Sequence, residues 1–159
     1  KARRGDVAGL AAALAILTGE VGKMARDVSL LAQGEVGEAA EPMVAGRGGS
    51  SAMSHKRNPT GCQVALSAAI RAPHLAASVM SGLPQEHERG LGGWQAEAPA
   101  VAELFQLAHG AVAAMAAVMA GLEIDADAMG RNLKAAGVGD DLGEAEAMVA
   151  RALRQDGDR

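Results

Sequence analysis

The chain has 159 residues and a net charge of −4, from 15 Lys and Arg against 19 Asp and Glu, with 49% hydrophobic and 21% charged residues. That length is enough for one domain with its own core, and the acidic balance argues against the basic stripe that a nucleic-acid or anionic-membrane surface needs. With one Trp, one Phe and no Tyr, any core is built from Leu, Val, Met and Ala, which favour closely packed helices over strands.

In chain order, the first element is predicted between Asp6 and Gln33. Its large apolar residues are Leu10, Leu14, Leu17, Val21, Met24, Val28 and Leu31, a 4-3-4-3-4-3 heptad seam. Gly34, Gly37 and Pro42 end it and open a loop that reads GGSSAMSHKRNP over 48–59. A second helix is predicted from just after Pro59 to about Gly82, apolar nearly all round (Val64, Leu66, Ile70, Leu75, Val79, Met80). The polar break PQEHERGLGGWQ (84–95) precedes a third long helix. Its seam is Val101, Leu104, Ala108, Ala111, Met115, Val118 and Leu122. Asp125 reads as the N-cap of a short helix near 126–136. Asp141 with Glu144 reads as the capping start of a last helix ending near Arg154.

No strand is expected, so the fold class is all-α: long bundle helices followed by a small C-terminal helical domain. Three helices with so much apolar perimeter cannot hide it within one such chain, and partner helices from another chain, or from a missing part of this one, are expected. The single Cys62 cannot form an internal disulfide. No leader-like segment is seen and no apolar run approaches the ~20 residues of a membrane span, so a reducing cytoplasm is expected. A start at Lys1 inside a helix-like stretch hints at a piece of something longer.

The chemistry concentrates in the 48–59 loop. Gly48 and Gly49 permit positive φ and close approach of a ligand to the backbone. Successive amides there, together with the N-terminus of the following helix, form an anion-holding arrangement. Lys56 is a cation suited to a carboxylate, and Asn58 offers both a donor and an acceptor. A serine among such donors becomes a usable base, able to take a proton from carbon beside a carboxylate. On residue types alone, a flexible Gly/Ser connector with incidental polar residues is the favoured reading, since such loops are common. A phosphate-binding P-loop fits worse, because His55 precedes Lys56 and Arg57 follows it.

The same stretch closely resembles the fumarase/aspartase superfamily signature G-S-S-x-M-P-x-K-x-N, matched here by Gly49, Ser50, Ser51, Met53, Lys56 and Asn58. Ser54 stands where that signature has proline. The resemblance implies a mobile loop over 46–59 with Ser50 as the base and Lys56 and Asn58 holding a substrate carboxylate. It also places Ser51, Met53 and Arg89 against substrate.

Within the superfamily, GEVGEAAEP (34–42), SSAMSHKRNP (50–59), PQEHERGLGGWQAE (84–97) and GLEIDADAMGRNL (121–133) together resemble the 3-carboxy-cis,cis-muconate cycloisomerases. These enzymes of protocatechuate breakdown, part of aromatic catabolism by the β-ketoadipate pathway, close a tricarboxylate diene into a lactone. Membership implies an isomerase without cofactor or metal, working as a homotetramer whose active sites are shared between subunits. It further implies that this chain is the C-terminal portion of the whole. Residues 1–121 would then belong to the central bundle and 122–159 to the small closing domain.

The adenylosuccinate lyases share the H-K-R-N-P and E-R elements. However, Trp94 and Ala98 stand where that family has a nucleotide-binding serine and arginine. A non-catalytic scaffold of the same superfamily is the third reading.

Overall fold

Alanine supplies the inner surface of this molecule and glycine and proline its breaks. The structure, a computed structural model, describes residues 3–44, 46–49, 52–53, 56–139 and 141–157. Its elements run α1 (Gly5–Leu31), β1 (Ala39–Ala40), α2 (Thr60–Ser81), α3 (Gly93–Ala120), β2 (Glu123–Ile124), α4 (Ala126–Ala136) and α5 (Ala145–Gly157). They fall into two compact units, Lys1–Asp125 and Ala126–Arg159.

In the first unit α1, α2 and α3 pack against one another in all three pairings. One core cluster joins Val21, Ala25 and Val28 of α1 to Cys62, Ala65 and Ala68 of α2 and Ala111, Met115 and Val118 of α3. A second joins Ala11, Ala72, Ala76, Val79, Ala100 and Leu104. The helices meet through small residues. A Cβ added at Gly22 would sit 2.4 Å from the Ala69 Cβ, so the backbones of α1 and α2 are as close as glycine permits.

The seam expected on α3 is the buried one: Leu104, Ala108, Ala111, Met115 and Val118 all face inward. On α1 the expectation is corrected. The inner face is Ala8, Ala11, Thr18, Val21, Gly22, Ala25 and Val28, while Leu10, Leu17 and Met24 remain 43–45% exposed. Close approach needs small residues at the contact, so the larger ones of the heptad pattern are left on the rim. Thr18, fully buried, satisfies its hydroxyl by donating to the Leu14 carbonyl oxygen at 2.6 Å. On α2, Val64, Ile70 and Met80 are likewise exposed, so the helix is not covered on all sides within this chain.

Two further expectations are corrected. Strands are present: β1 and β2 pair antiparallel with Ala39 opposite Ile124 and Ala40 opposite Glu123, extended by the Asp125 N–H donating to the Glu38 carbonyl oxygen at 3.0 Å. Two-residue strands from distant parts of the chain carry too little periodicity to be read beforehand. The last helix also begins later than its acidic start implied. The Asp141 Oδ1 accepts the Gly143 N–H at 2.9 Å and Gly143 takes φ +53°, so Asp141 forms a local turn before the helix. Finally, α1 and α3 are each long and apolar enough, by length and composition, to cross a membrane, where the sequence reading had found no such run.

Candidate functional site

The loop from β1 to α2 carries the signature residues. Ser50, Ser51 and Ser54 lie outside the described residues. The parts on either side of them are tied together at the base. The Asn58 N–H donates to the Gly48 carbonyl oxygen at 2.8 Å. Gly48 takes φ +71°, and a Cβ there would lie 2.8 Å from the Asn58 carbonyl oxygen, so only glycine fits this pinch. Inside it, the Lys56 N–H donates to the Met53 carbonyl oxygen at 3.1 Å. Met53 and Lys56 are exposed and Asn58 is half-buried. Among the described residues the Lys56 ammonium takes part in no ion pair, so its charge faces solvent.

The sequence reading assigned the positive end of the following helix to an anionic ligand. In the structure that end is occupied by Glu41, whose carboxylate accepts the Gly61 N–H at 2.9 Å and the Cys62 N–H at 2.8 Å. A carboxylate at this position satisfies two amides that lack intrahelical partners and complements the helix dipole. The approach is close: a Cβ on Gly61 would fall 2.4 Å from Val118 Cγ2 and 3.3 Å from Glu41 Oε2. The Cys62 thiol is buried behind it. Burial, and then the neighbouring Glu41 carboxylate, push it up to about 12, which makes it an inert thiol at neutral pH.

Arg57 is the residue that sequence reasoning missed. Its guanidinium holds both carboxylate oxygens of Glu123 on β2, at 2.8 and 2.7 Å, and donates a third bond to the Glu41 carbonyl oxygen at 2.5 Å. The hydrogen bonds of this pair hold Glu123 below the usual carboxylate range and raise Arg57 further. Its place between Lys56 and Asn58 was the one available hint. Its acceptors, 16 and 66 residues away, left no mark in the pattern.

Arg89 sits elsewhere, on the α2–α3 connection. Its guanidinium carbon lies 4.3 Å from the Trp94 ring centroid, a cation–π stack. Gln85 braces this connection by accepting the Gly90 N–H at 2.7 Å and donating to the Gly82 carbonyl oxygen. The connection leaves the C-terminal end of α2, whereas the signature loop enters its N-terminal end. A helix of 22 residues is roughly 33 Å long. The structure thus brings Met53, Lys56 and Asn58 onto one loop and leaves Arg89 about one helix length away.

Residues 2–73 match the model of a family described as lyase. The chain is 49% identical to a 3-carboxy-cis,cis-muconate cycloisomerase from Bradyrhizobium diazoefficiens, over 83% of this chain and 29% of that protein. It is 44% identical to a nitrosuccinate lyase from Streptomyces davaonensis, over 84% of this chain and 28% of the other. Among solved structures, the 3-carboxy-cis,cis-muconate lactonizing enzyme from Pseudomonas putida superposes with a TM-score of 0.76 at 44% identity, covering 82% of this chain and 29% of that one. The chain is therefore homologous to these enzymes over most of its own length, and it spans about 29% of the cycloisomerase's length.

Proposed function

We propose, on the premise of that homology, that the chain supplies one part of a cycloisomerase that interconverts 3-carboxy-cis,cis-muconate and its lactone. The observation that carries the reading is the pinched loop. Its base is closed between Gly48 and Asn58, it presents the solvent-facing Lys56 ammonium beside Asn58, and its sequence matches the superfamily signature at every defined position but Ser54.

Lys56 and Asn58 hold a substrate carboxylate, the ammonium by charge and the amide by a directed bond. Ser51 and Met53 line the same loop against substrate. In the lactone-forming direction a carboxylate oxygen adds to the conjugated double bond and a proton is delivered to the neighbouring carbon. In reverse, a base removes that proton, and Ser50 is assigned this role. The reaction is an isomerisation, so no electrons or atoms are exchanged with a co-reactant.

Arg89 binds a carboxylate of a substrate held mainly by another copy. The length of α2 keeps it from the Lys56 loop of its own chain, which supports active sites shared between subunits of a homotetramer. Residues 1–121 act as the bundle portion and 122–159 as the smaller helical domain, in the cytoplasm, within the breakdown of protocatechuate.

A second reading is favoured by the likeness to the nitrosuccinate lyase: the same loop would serve elimination beside a carboxylate. The test gives the complete gene product 3-carboxy-cis,cis-muconate and follows loss of the diene's ultraviolet absorbance, with nitrosuccinate and adenylosuccinate alongside. Rapid loss of diene, and a Ser50→Ala turnover lower by about 10²–10⁴-fold with helical content retained, is the expected result. Near-normal turnover in that variant refutes the role of Ser50. Activity on nitrosuccinate alone establishes the second reading.

A further inference from the structure

We propose that Arg57 is a positioning residue, a tether that fixes the C-terminal foot of the signature loop to the β1–β2 ribbon and thereby sets where Lys56 and Asn58 stand.

Four observations converge on it. The foot is closed by one backbone bond, from the Asn58 N–H to the Gly48 carbonyl oxygen. The next residue back, Arg57, holds three acceptors on two separate segments: both oxygens of Glu123 on β2 and the Glu41 carbonyl just past β1. Glu41 is itself clamped from its other side, because its carboxylate caps the Gly61 and Cys62 amides of α2. The two segments that Arg57 bridges are already paired as β1 and β2. The result is a closed cycle, from loop foot to ribbon to helix start and back to the loop foot, with the guanidinium as its cross-brace.

The planar fork matters here. A guanidinium can reach both Glu123 oxygens and a third acceptor at once, whereas an ammonium is a single point of charge. Arg57 lies between Lys56 and Asn58 in sequence, so holding its side chain holds the backbone that carries both. Three of its five N–H donors already go to protein acceptors, which sets it apart from the residues assigned to substrate. Each bond is exposed enough to be weak singly. Their convergence on one residue gives the foot its definition.

The catalytic part of this proposal rests on the cycloisomerase reading; the tether itself does not, and the experiment separates them. Amide exchange is followed in the complete gene product and in Arg57→Ala, Arg57→Lys, Glu123→Ala and the swapped pair Arg57→Glu/Glu123→Arg. The Asn58 amide reports the foot. The Ala68 and Ala72 amides, in the buried middle of α2, report global opening.

The expected result is exchange at Asn58 faster by about five- to tenfold in Arg57→Ala and Glu123→Ala, with Ala68 and Ala72 unchanged. Arg57→Lys should fall between, and the swapped pair should recover part of the protection. Turnover of 3-carboxy-cis,cis-muconate should then drop in kcat in step with the lost protection and return in part with the swap. Unchanged Asn58 exchange in Arg57→Ala and Glu123→Ala overturns the tether. If Arg57→Ala does not fold, unchanged exchange in the surface variant Glu123→Ala is enough. Equal loss of protection at Asn58, Ala68 and Ala72 overturns it too, by showing a global structural role. Normal kcat in a variant whose Asn58 amide has lost protection overturns the positioning role. Altered exchange in a protein that never consumes the substrate leaves the tether supported and sinks the cycloisomerase reading instead.

Discussion

Glu97 is the charged residue whose burial costs most to leave unpaired. It is 5% exposed, on the first turns of α3, in a core otherwise made of alanine, leucine and valine. Arg4, just ahead of α1, covers it by donating Nε to Glu97 Oε2 at 3.0 Å and Nη2 to Oε1. A buried pair of this kind adds little net stability over an apolar pair. Removing one partner is different, because the remaining charge is then desolvated without compensation. Arg4→Ala is therefore expected to destabilise the chain by about 3 kcal/mol, and Arg4→Ala with Glu97→Leu to recover most of that loss. Urea denaturation checks this: the midpoint should fall in the single variant with little change in slope. A single variant within about 0.5 kcal/mol of the parent, the usual range for surface substitutions, would show that Glu97 is not held by Arg4. Nothing in the sequence identified this pair, whose partners stand 93 residues apart.

At the level of elements, the start of α2 is where sequence, packing and ionisation meet. Cys62 sits three residues into the helix, fully buried, beside the carboxylate that caps it. Its thiol is raised by burial first and by Glu41 second, from an ordinary 9.0 to about 12. A raised acid stays protonated in the folded chain after it has ionised in the unfolded one. Its contribution is thus intact below pH 9 and is lost as pH rises from 9 toward 12. Between pH 9 and 10.5 the parent should lose about 1 kcal/mol of stability per pH unit more than Cys62→Ala does; parallel curves would mean the thiol is wetter than its burial indicates. Helices with strong punctuation were legible beforehand: α2 begins after Pro59 and stops at Gly82, and α4 follows Asp125. The inner face of α1 was not, because a heptad of leucines outweighs in hydrophobicity the alanines that close packing selects. The site divides the same way. Lys56 and Asn58 stand in a recognisable string, whereas Glu41, Arg57 and Glu123 meet only through pairing of segments that no local pattern connects.

The molecule as a whole leaves more apolar surface open than a three-helix bundle of this size needs. Leu10, Leu17 and Met24 on α1, Ile70 on α2, and Phe105 and Met119 on α3 are between 43% and 65% exposed. A groove of about 520 Å³ runs between α2 and α3, with Ala68 and Ala111 among its lining residues. Scattered exposed leucines are ordinary, but apolar rows along three long helices mark an interface. The proposed occupant is a further copy of the same protein, because the shared site proposed above needs Arg89 and the Lys56 loop, at opposite ends of α2, to come from different copies. Each fully buried side chain of this size would contribute about 1.5–3 kcal/mol to such an interface. Light scattering on the complete gene product should give the mass of a tetramer. Leu17→Glu and Ile70→Glu should each lower that mass without loss of helical content, since neither side chain belongs to the core clusters, and turnover should fall with the mass if the proposed site draws on more than one copy. A parent protein that is monomeric at every concentration tested, yet fully active, would require Arg89 and Lys56 to work apart and would remove the reason for placing both in one site.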